Sequence, residues 1–413
     1  MPAATDHKLA VEEPVRIRLK PRRSQPFFAG HPWVFESAIA PISQDVLGKL
    51  QPGQAVEVVS NEGHFVAHGL WNSNSGIRIR LYSWKAAVPF SEELLADRIQ
   101  RAVRRRATNF DLTSHITGCR LIFSEADLLS GLIVDKYGDF LLVQFTSLAL
   151  YQRQRMIVDI LDQLLKPKGI WLRTERGMRE AEGLEVSDGL VRGERPPQPV
   201  YIEENELRFS VDVQEGQKTG CYLDQRENRA VAAKYVKGRK VLDAFCFSGG
   251  FGITAAKHGG AESVLGIDSS ESALSLAKSN AQANAVDGLC EYIRGDVQKT
   301  LKELEEQGSR FGAVILDPPR MARTRGGLKR ALKGYQKLNL SGLKVLEPDG
   351  ILVTCSCSGL VSAEQFKAML NEVSRISGRQ IQILEQRGQP CDHPVSVTCP
   401  ETEYLKVLIC RVE

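Results

Sequence analysis

Residues 15–84 form a succession of short runs rich in Val, Ile and aromatics: RIRLK (16–20), HPWVF (31–35), QAVEVV (54–59), HFVAHGLW (64–71) and IRIRLYSW (77–84). PGQ, NEG and NSNSG separate them. Period-two runs punctuated by turn residues predict a small all-β barrel over residues 14–86. From Ser91 the period changes. In SEELLADRIQRAVRRRATNF, Leu94, Leu95, Ile99, Ala102 and Val103 make one apolar stripe, the pattern of a helix. Residues 91–205 then mix strand-like GLIVDKYG, FLLVQF and GIWLRT with the helical YQRQRMIVDILDQLL, which predicts a central α+β domain. YIEENELRFSVDV (201–213) reads as two strands around a polar turn.

Beyond about residue 220, strand and helix alternate. KVLDAF, SVLGID, CEYIRGD, AVILDPP and GILVTCS are each followed by a helix-compatible stretch, and QIQILEQ and YLKVLICRV close the chain. That rhythm predicts an α/β, Rossmann-like, doubly wound domain over residues 206–413.

Composition fits a globular chain of 413 residues, 42% hydrophobic and 25% charged. No apolar run approaches the roughly 20 residues of a membrane helix, and MPAATDHKLAVEEP has no signal-peptide core. The nine cysteines lack disulfide or zinc spacing, so a reduced, cytoplasmic setting is expected. Cys391, His393 and Cys399 in CDHPVSVTC fit no zinc pattern, and no metal is expected. Charge is uneven: residues 1–110 hold 15 Lys/Arg against 10 Asp/Glu, while the whole chain is +4. Arg16, Arg18 and Lys20, and then Arg78 and Arg80, recur every second residue, so each set projects from one face of its strand. Such rows suit a phosphate backbone or a solvated barrel face equally.

Ligands in open α/β sheets bind beyond the strand carboxyl ends. The first strand of the last domain runs into Phe247, Ser248, Gly249 and Gly250, where glycines let the backbone turn beneath a ligand. Asp243 near its end would repel a pyrophosphate but suit a cationic amine and a sulfonium. Asp268 ends the next strand, placed for ribose hydroxyls. Asp296 ends the third, placed for an adenine amino group, and Asp317 opens DPP. Four acids at successive strand ends point to S-adenosylmethionine and a class I methyltransferase. Helix capping accounts for one or two of them.

The reacting centre is read from DPP and TCSCSG. In methyltransferases acting on exocyclic amines an aromatic usually ends the proline tetrapeptide; here Arg320 and Met321 follow. A pyrimidine carbon 5 is a poor nucleophile until a thiolate adds at carbon 6, and cysteine suits such covalent catalysis. Reactive thiols are exposed. Cys357, beyond the strand, is therefore preferred to Cys355 as nucleophile, with Asp317 positioned to bond the pyrimidine edge.

With these motifs, and with GQKTGCYLDQRENR (216–229), DHPV and YLKVLICRV, the chain resembles the bacterial 23S ribosomal RNA 5-methylcytosine methyltransferases over nearly its full length. The resemblance implies an N-terminal PUA-like RNA-binding domain, a central linking domain and a catalytic domain using S-adenosylmethionine. It implies the cysteine before Ser-Gly as nucleophile and 23S ribosomal RNA as partner. No membrane partner is expected, and a homodimer is a candidate assembly. It also implies that Lys218, Thr219, Asp224 and Arg226 lie near cofactor or substrate. Two alternatives stay open: an RNA methyltransferase acting on guanine or a ring nitrogen, and a non-catalytic RNA-binding assembly factor.

Overall fold

The computed structural model describes residues 14–174, 176–214, 222–322 and 324–413, apart from the side chain of Arg176. Lys218, Thr219 and Cys221 lie outside the described residues. The first sheet holds β1 (Val15–Arg18), β2 (Trp33–Phe35), β3 (Ala55–Val59), β4 (Phe65–Trp71) and β5 (Ile77–Ser83), in the order β1-β3-β4-β5-β2. Backbone bonds from Lys20 to Ala38 and from Ala40 to Arg18, both 2.9 Å, join β1 to the segment after β2 and close it into a barrel. Alternation sets its core: Ile17 and Leu19 point inward while Arg16 and Arg18 stay exposed.

β5 is different, because both of its faces are covered. Ile79 and Leu81 fill the barrel. Tyr82 joins the core of the central domain instead. That domain opens with the helix Glu92–Ala107 and builds its sheet from β6 (Gly118–Phe123), β7 (Leu132–Tyr137), β8 (Phe140–Phe145), β9 (Gly169–Leu172) and β10 (Gly189–Gly193). Ser91 caps the helix by accepting the Leu94 N–H, and Arg104, Arg105 and Arg106 sit in its last turn, where cations suit the dipole.

The hairpin of β11 (Val200–Glu204) and β12 (Leu207–Val211) packs Val200, Ile202, Leu207, Phe209 and Val211 into the core of the third domain. There seven strands follow: β13 (Lys240–Ala244), β14 (Ser263–Asp268), β15 (Cys290–Arg294), β16 (Phe311–Leu316), β17 (Leu346–Ser356), β18 (Ile381–Arg387) and β19 (Lys406–Val412). Their order is β15-β14-β13-β16-β17-β19-β18. The first five are parallel, and β19 is antiparallel to both neighbours. The order reverses between β14-β13 and β13-β16, the switch point where open α/β sheets bind ligands. No helix among the described residues is long and apolar enough to cross a membrane.

Candidate active site

β17 is buried without a break from Gly350 to Ser356, Cys355 included, and the chain then leaves Cys357 partly exposed. Burial pushes the Cys355 thiol well above its ordinary value, which makes it unreactive. Cys357 Sγ lies 3.8 Å from the carbonyl oxygen of Pro318, in the loop after β16.

The serines flanking Cys357 hold that approach. Ser358 Oγ accepts the Met321 and Ala322 N–H groups at 3.2 and 3.1 Å and pairs with the Tyr335 hydroxyl at 3.0 Å. Ser356 Oγ bonds the same hydroxyl, also at 3.0 Å. One buried tyrosine thus ties the cysteine loop to the proline loop, and satisfied buried polar clusters of this kind fix geometry. Asp317 is oriented from a third direction. Gln225 Nε2 donates to its Oδ2 at 3.1 Å, and Asn228 Nδ2 donates to Gln225 Oε1 at 2.7 Å.

The glycine turn after β13 carries backbone strain. Phe245, Phe247 and Gly249 all have positive φ, 65°, 48° and 82°, a conformation that non-glycine residues adopt only under constraint. A Cβ on Gly249 would meet Tyr292 Oη and Ile253 Cδ1 at 2.9 Å, and at φ 82° any larger residue would be strained. Asp268, half-exposed at the end of β14, accepts the Phe247 N–H at 3.0 Å and the Ser270 N–H at 2.9 Å, one on each oxygen.

Several expected contacts are placed otherwise. Asp243 is 1% exposed and lies beneath the turn, accepting the Gly252 N–H at 2.8 Å. Burial raises its pKa to about 7, and through Gly252 it braces the turn. Asp296 is the N-cap of the helix Val297–Glu306, accepting the Lys299 N–H at 2.9 Å. Arg226 is buried between domains, donating to the Gly118 carbonyl at 2.7 Å and pairing with Asp392 at 3.3 Å. Asp224 accepts the Tyr404 hydroxyl at 2.6 Å. Arg80 is also corrected: it is 5% exposed and pairs with Glu182 at 2.8 Å and Glu125 at 3.4 Å, because its face of β5 packs on the central domain. Arg78 is half-buried and bound to Glu36 at 2.9 Å. Arg16, Arg18 and Lys20 keep solvent access, although Arg16 pairs with Glu57 at 2.8 Å.

Two residues escaped the sequence reading. Tyr222 meets Phe247 edge-on, ring centres 5.1 Å apart. Its hydroxyl is pushed up by burial and then by the charges of Asp317, Asp224, Cys357 and Asp268, which places it among the turn, the proline loop and the thiol. Lys406, at the start of β19, is buried beside Cys357. A third cluster joins barrel and catalytic domain: His31 Nε2 and the Cys399 thiol both donate to Glu401 Oε2, at 3.2 and 3.5 Å. His31 Nδ1 accepts the Trp33 N–H, which keeps the proton on Nε2, and the group forms a hydrogen-bonded clasp.

The open side of the turn therefore presents Asp268, Asp317, Phe247 and Tyr222, two carboxylates and two aromatic rings. That set fits a cationic, adenosine-bearing ligand better than an anionic phosphate.

Residues 17–84 match the family model of a PUA-like domain, and residues 189–410 that of an S-adenosylmethionine-dependent methyltransferase. The chain is 39% identical over 397 residues to ribosomal RNA large subunit methyltransferase I of Tolumonas auensis, covering 96% of this chain and 98% of that one. It is 38% identical to the protein of the same name from Shewanella denitrificans, covering 96% and 99%. Among solved structures, a methyltransferase complexed with SAH superposes with a TM-score of 0.82 at 22% identity, covering 96% of this chain and all of that one. A SAM-dependent methyltransferase from Streptococcus mutans gives 0.80 at 21%, with the same coverage. At such identities the likeness is one of fold.

Proposed function

The chain belongs to the S-adenosylmethionine-dependent methyltransferase family that includes ribosomal RNA large subunit methyltransferase I, and on that premise we propose that it methylates carbon 5 of a cytosine in 23S ribosomal RNA. The observation that carries this reading is the Cys357 thiol, partly exposed and held against the proline loop by the Ser356–Tyr335–Ser358 cluster.

When bound, S-adenosylmethionine supplies an electrophilic methyl group; Asp268, Phe247 and the turn at Gly249 and Gly250, with Asp317 and Tyr222 at the mouth, would hold it. The Cys357 thiolate adds to carbon 6 of the cytosine, and the ring electrons it displaces make carbon 5 nucleophilic. Asp317, oriented by Gln225, bonds the N3/N4 edge of the base and helps move a proton to N3 as the ring takes up negative charge during addition. Once carbon 5 carries the methyl group, its proton leaves and the Sγ–C6 bond breaks, restoring both the aromatic ring and the thiolate.

Arg16, Arg18 and Lys20 form an exposed basic edge of the barrel suited to the RNA backbone, with Lys218 assigned to the same partner. Bisulfite mapping of ribosomal RNA from cells with and without the gene tests the reading. One 23S cytosine is expected to lose protection in the deletion strain. Unchanged protection everywhere, with a methyl group missing from a guanine or a ring nitrogen, would favour the alternative chemistry.

A further inference from the structure

Lys406 opens β19, in register opposite Ser356, the residue before Cys357. It is 6% exposed, and a buried ammonium must direct its protons at acceptors. Nζ donates to the Ser358 carbonyl at 2.7 Å and to the Tyr404 carbonyl at 2.9 Å. Both acceptors are neutral, so neither offsets the charge. Among the charged groups around it, the Cys357 thiol acts on Lys406 most strongly, ahead of Glu403 and Arg320.

Resting on the reading of Cys357 as nucleophile, we propose that Lys406 is the fixed counter-charge of the Cys357 thiolate. It is a positioning residue, anchored by two carbonyls beside the thiol, that keeps the sulfur in its nucleophilic form. The groups facing the thiol show why one is needed. Asp317, from the loop after β16, and Asp224, from the segment before the helix Arg226–Ala233, are anions that oppose a thiolate. Tyr222, Tyr335, Tyr404 and Cys355 are neutral at ordinary pH, their hydroxyls and thiol pushed up by burial. Of the cations, Arg320 is exposed and therefore screened by water and salt. Lys406 alone among these is both cationic and buried, where a charge acts at full strength. Burial lowers its pKa to about 8, which still leaves it protonated at neutral pH.

Alkylation by iodoacetamide, mapped to each cysteine by mass spectrometry on the full chain without RNA, tests this. At about pH 7, Lys406→Met is expected to slow modification of Cys357 at least tenfold, and Lys406→Arg by less than about threefold. At about pH 10, where thiols ionise unaided and Lys406 is itself neutral, wild type and Lys406→Met should converge to within about twofold. Equal slowing at both pH values would mean that the lysine only shapes the loop, and would overturn the proposal. Should Lys406→Met fail to fold, the wild type decides alone. At neutral pH Cys357 should react faster than Cys391, which is more exposed; the reverse order overturns the proposal. Because no RNA is involved, absence of methylation at cytosine carbon 5 would sink the proposed function and leave this inference standing, and the converse also holds.

Discussion

The sulfur of Cys357 faces the backbone carbonyl of Pro318 at 3.8 Å, so the cysteine and proline loops, from different strands, meet at one point. Replacing Cys357 with Ala should reduce methyl transfer roughly a thousandfold or more while leaving S-adenosylmethionine binding within about twofold. Calorimetry and a tritiated-methyl assay separate the two. Cys355→Ala should instead lower thermal stability by about 1–2 kcal/mol, since it removes a buried sulfur from the core and leaves the loop in place.

Ser358→Ala removes the acceptor shared by Met321, Ala322 and Tyr335. The buried Ala322 amide and the part-buried Met321 amide then lose their partner, at about 1–3 kcal/mol. Turnover should fall more steeply than RNA affinity, because the loop that presents Asp317 loosens. A drop in affinity with unchanged single-turnover rate would contradict this.

Asp243 supplies a pH dependence. Burial raises its folded pKa to about 7 from 3.8, so the native state holds an extra proton between those values. Its contribution to stability is fully present below about pH 3.8 and is lost as pH rises through about 7. Asp243→Asn, which keeps an acceptor for Gly252, should gain on the wild type across that window and hold the gain above it. Denaturant melts at about pH 5 and pH 8 measure the difference, and a constant gap would contradict it.

Arg80 and the β1 row should behave oppositely. Arg80→Met leaves Glu182 and Glu125 buried without their cation and should cost about 3–5 kcal/mol of stability. A double replacement of Arg16 and Arg18 by Gln should barely change the melt. It should weaken RNA binding and flatten its salt dependence by up to about two phosphate contacts, read from binding titrations at several salt concentrations.

This contrast shows what the sequence made legible. Each basic row does lie on one face of its strand, but alternation cannot say what covers that face. For β1 it is solvent, and for β5 it is the central domain. Most strands were readable because their runs are bounded by turn residues, but β6 and β10 of the central sheet were not among the runs read. All four acids were readable as strand ends, but which of them face the open side of the turn was not. Asp296 went to a helix cap and Asp243 under the turn, each accepting a backbone N–H of the helix that follows its strand. Lys406 was hidden because a lysine in YLKVLICRV looks like an ordinary strand-edge charge. Its burial follows only from pairing β19 with β17.

The covalent step is open to direct capture. RNA carrying 5-fluorocytosine cannot release the carbon 5 substituent as a proton, so the enzyme–base bond should persist after methyl transfer. Incubation with such RNA and S-adenosylmethionine, followed by mass spectrometry, should give a stable adduct on residue 357 that is missing in Cys357→Ala. Active enzyme that yields no adduct, or one attached to another side chain, would contradict the mechanism.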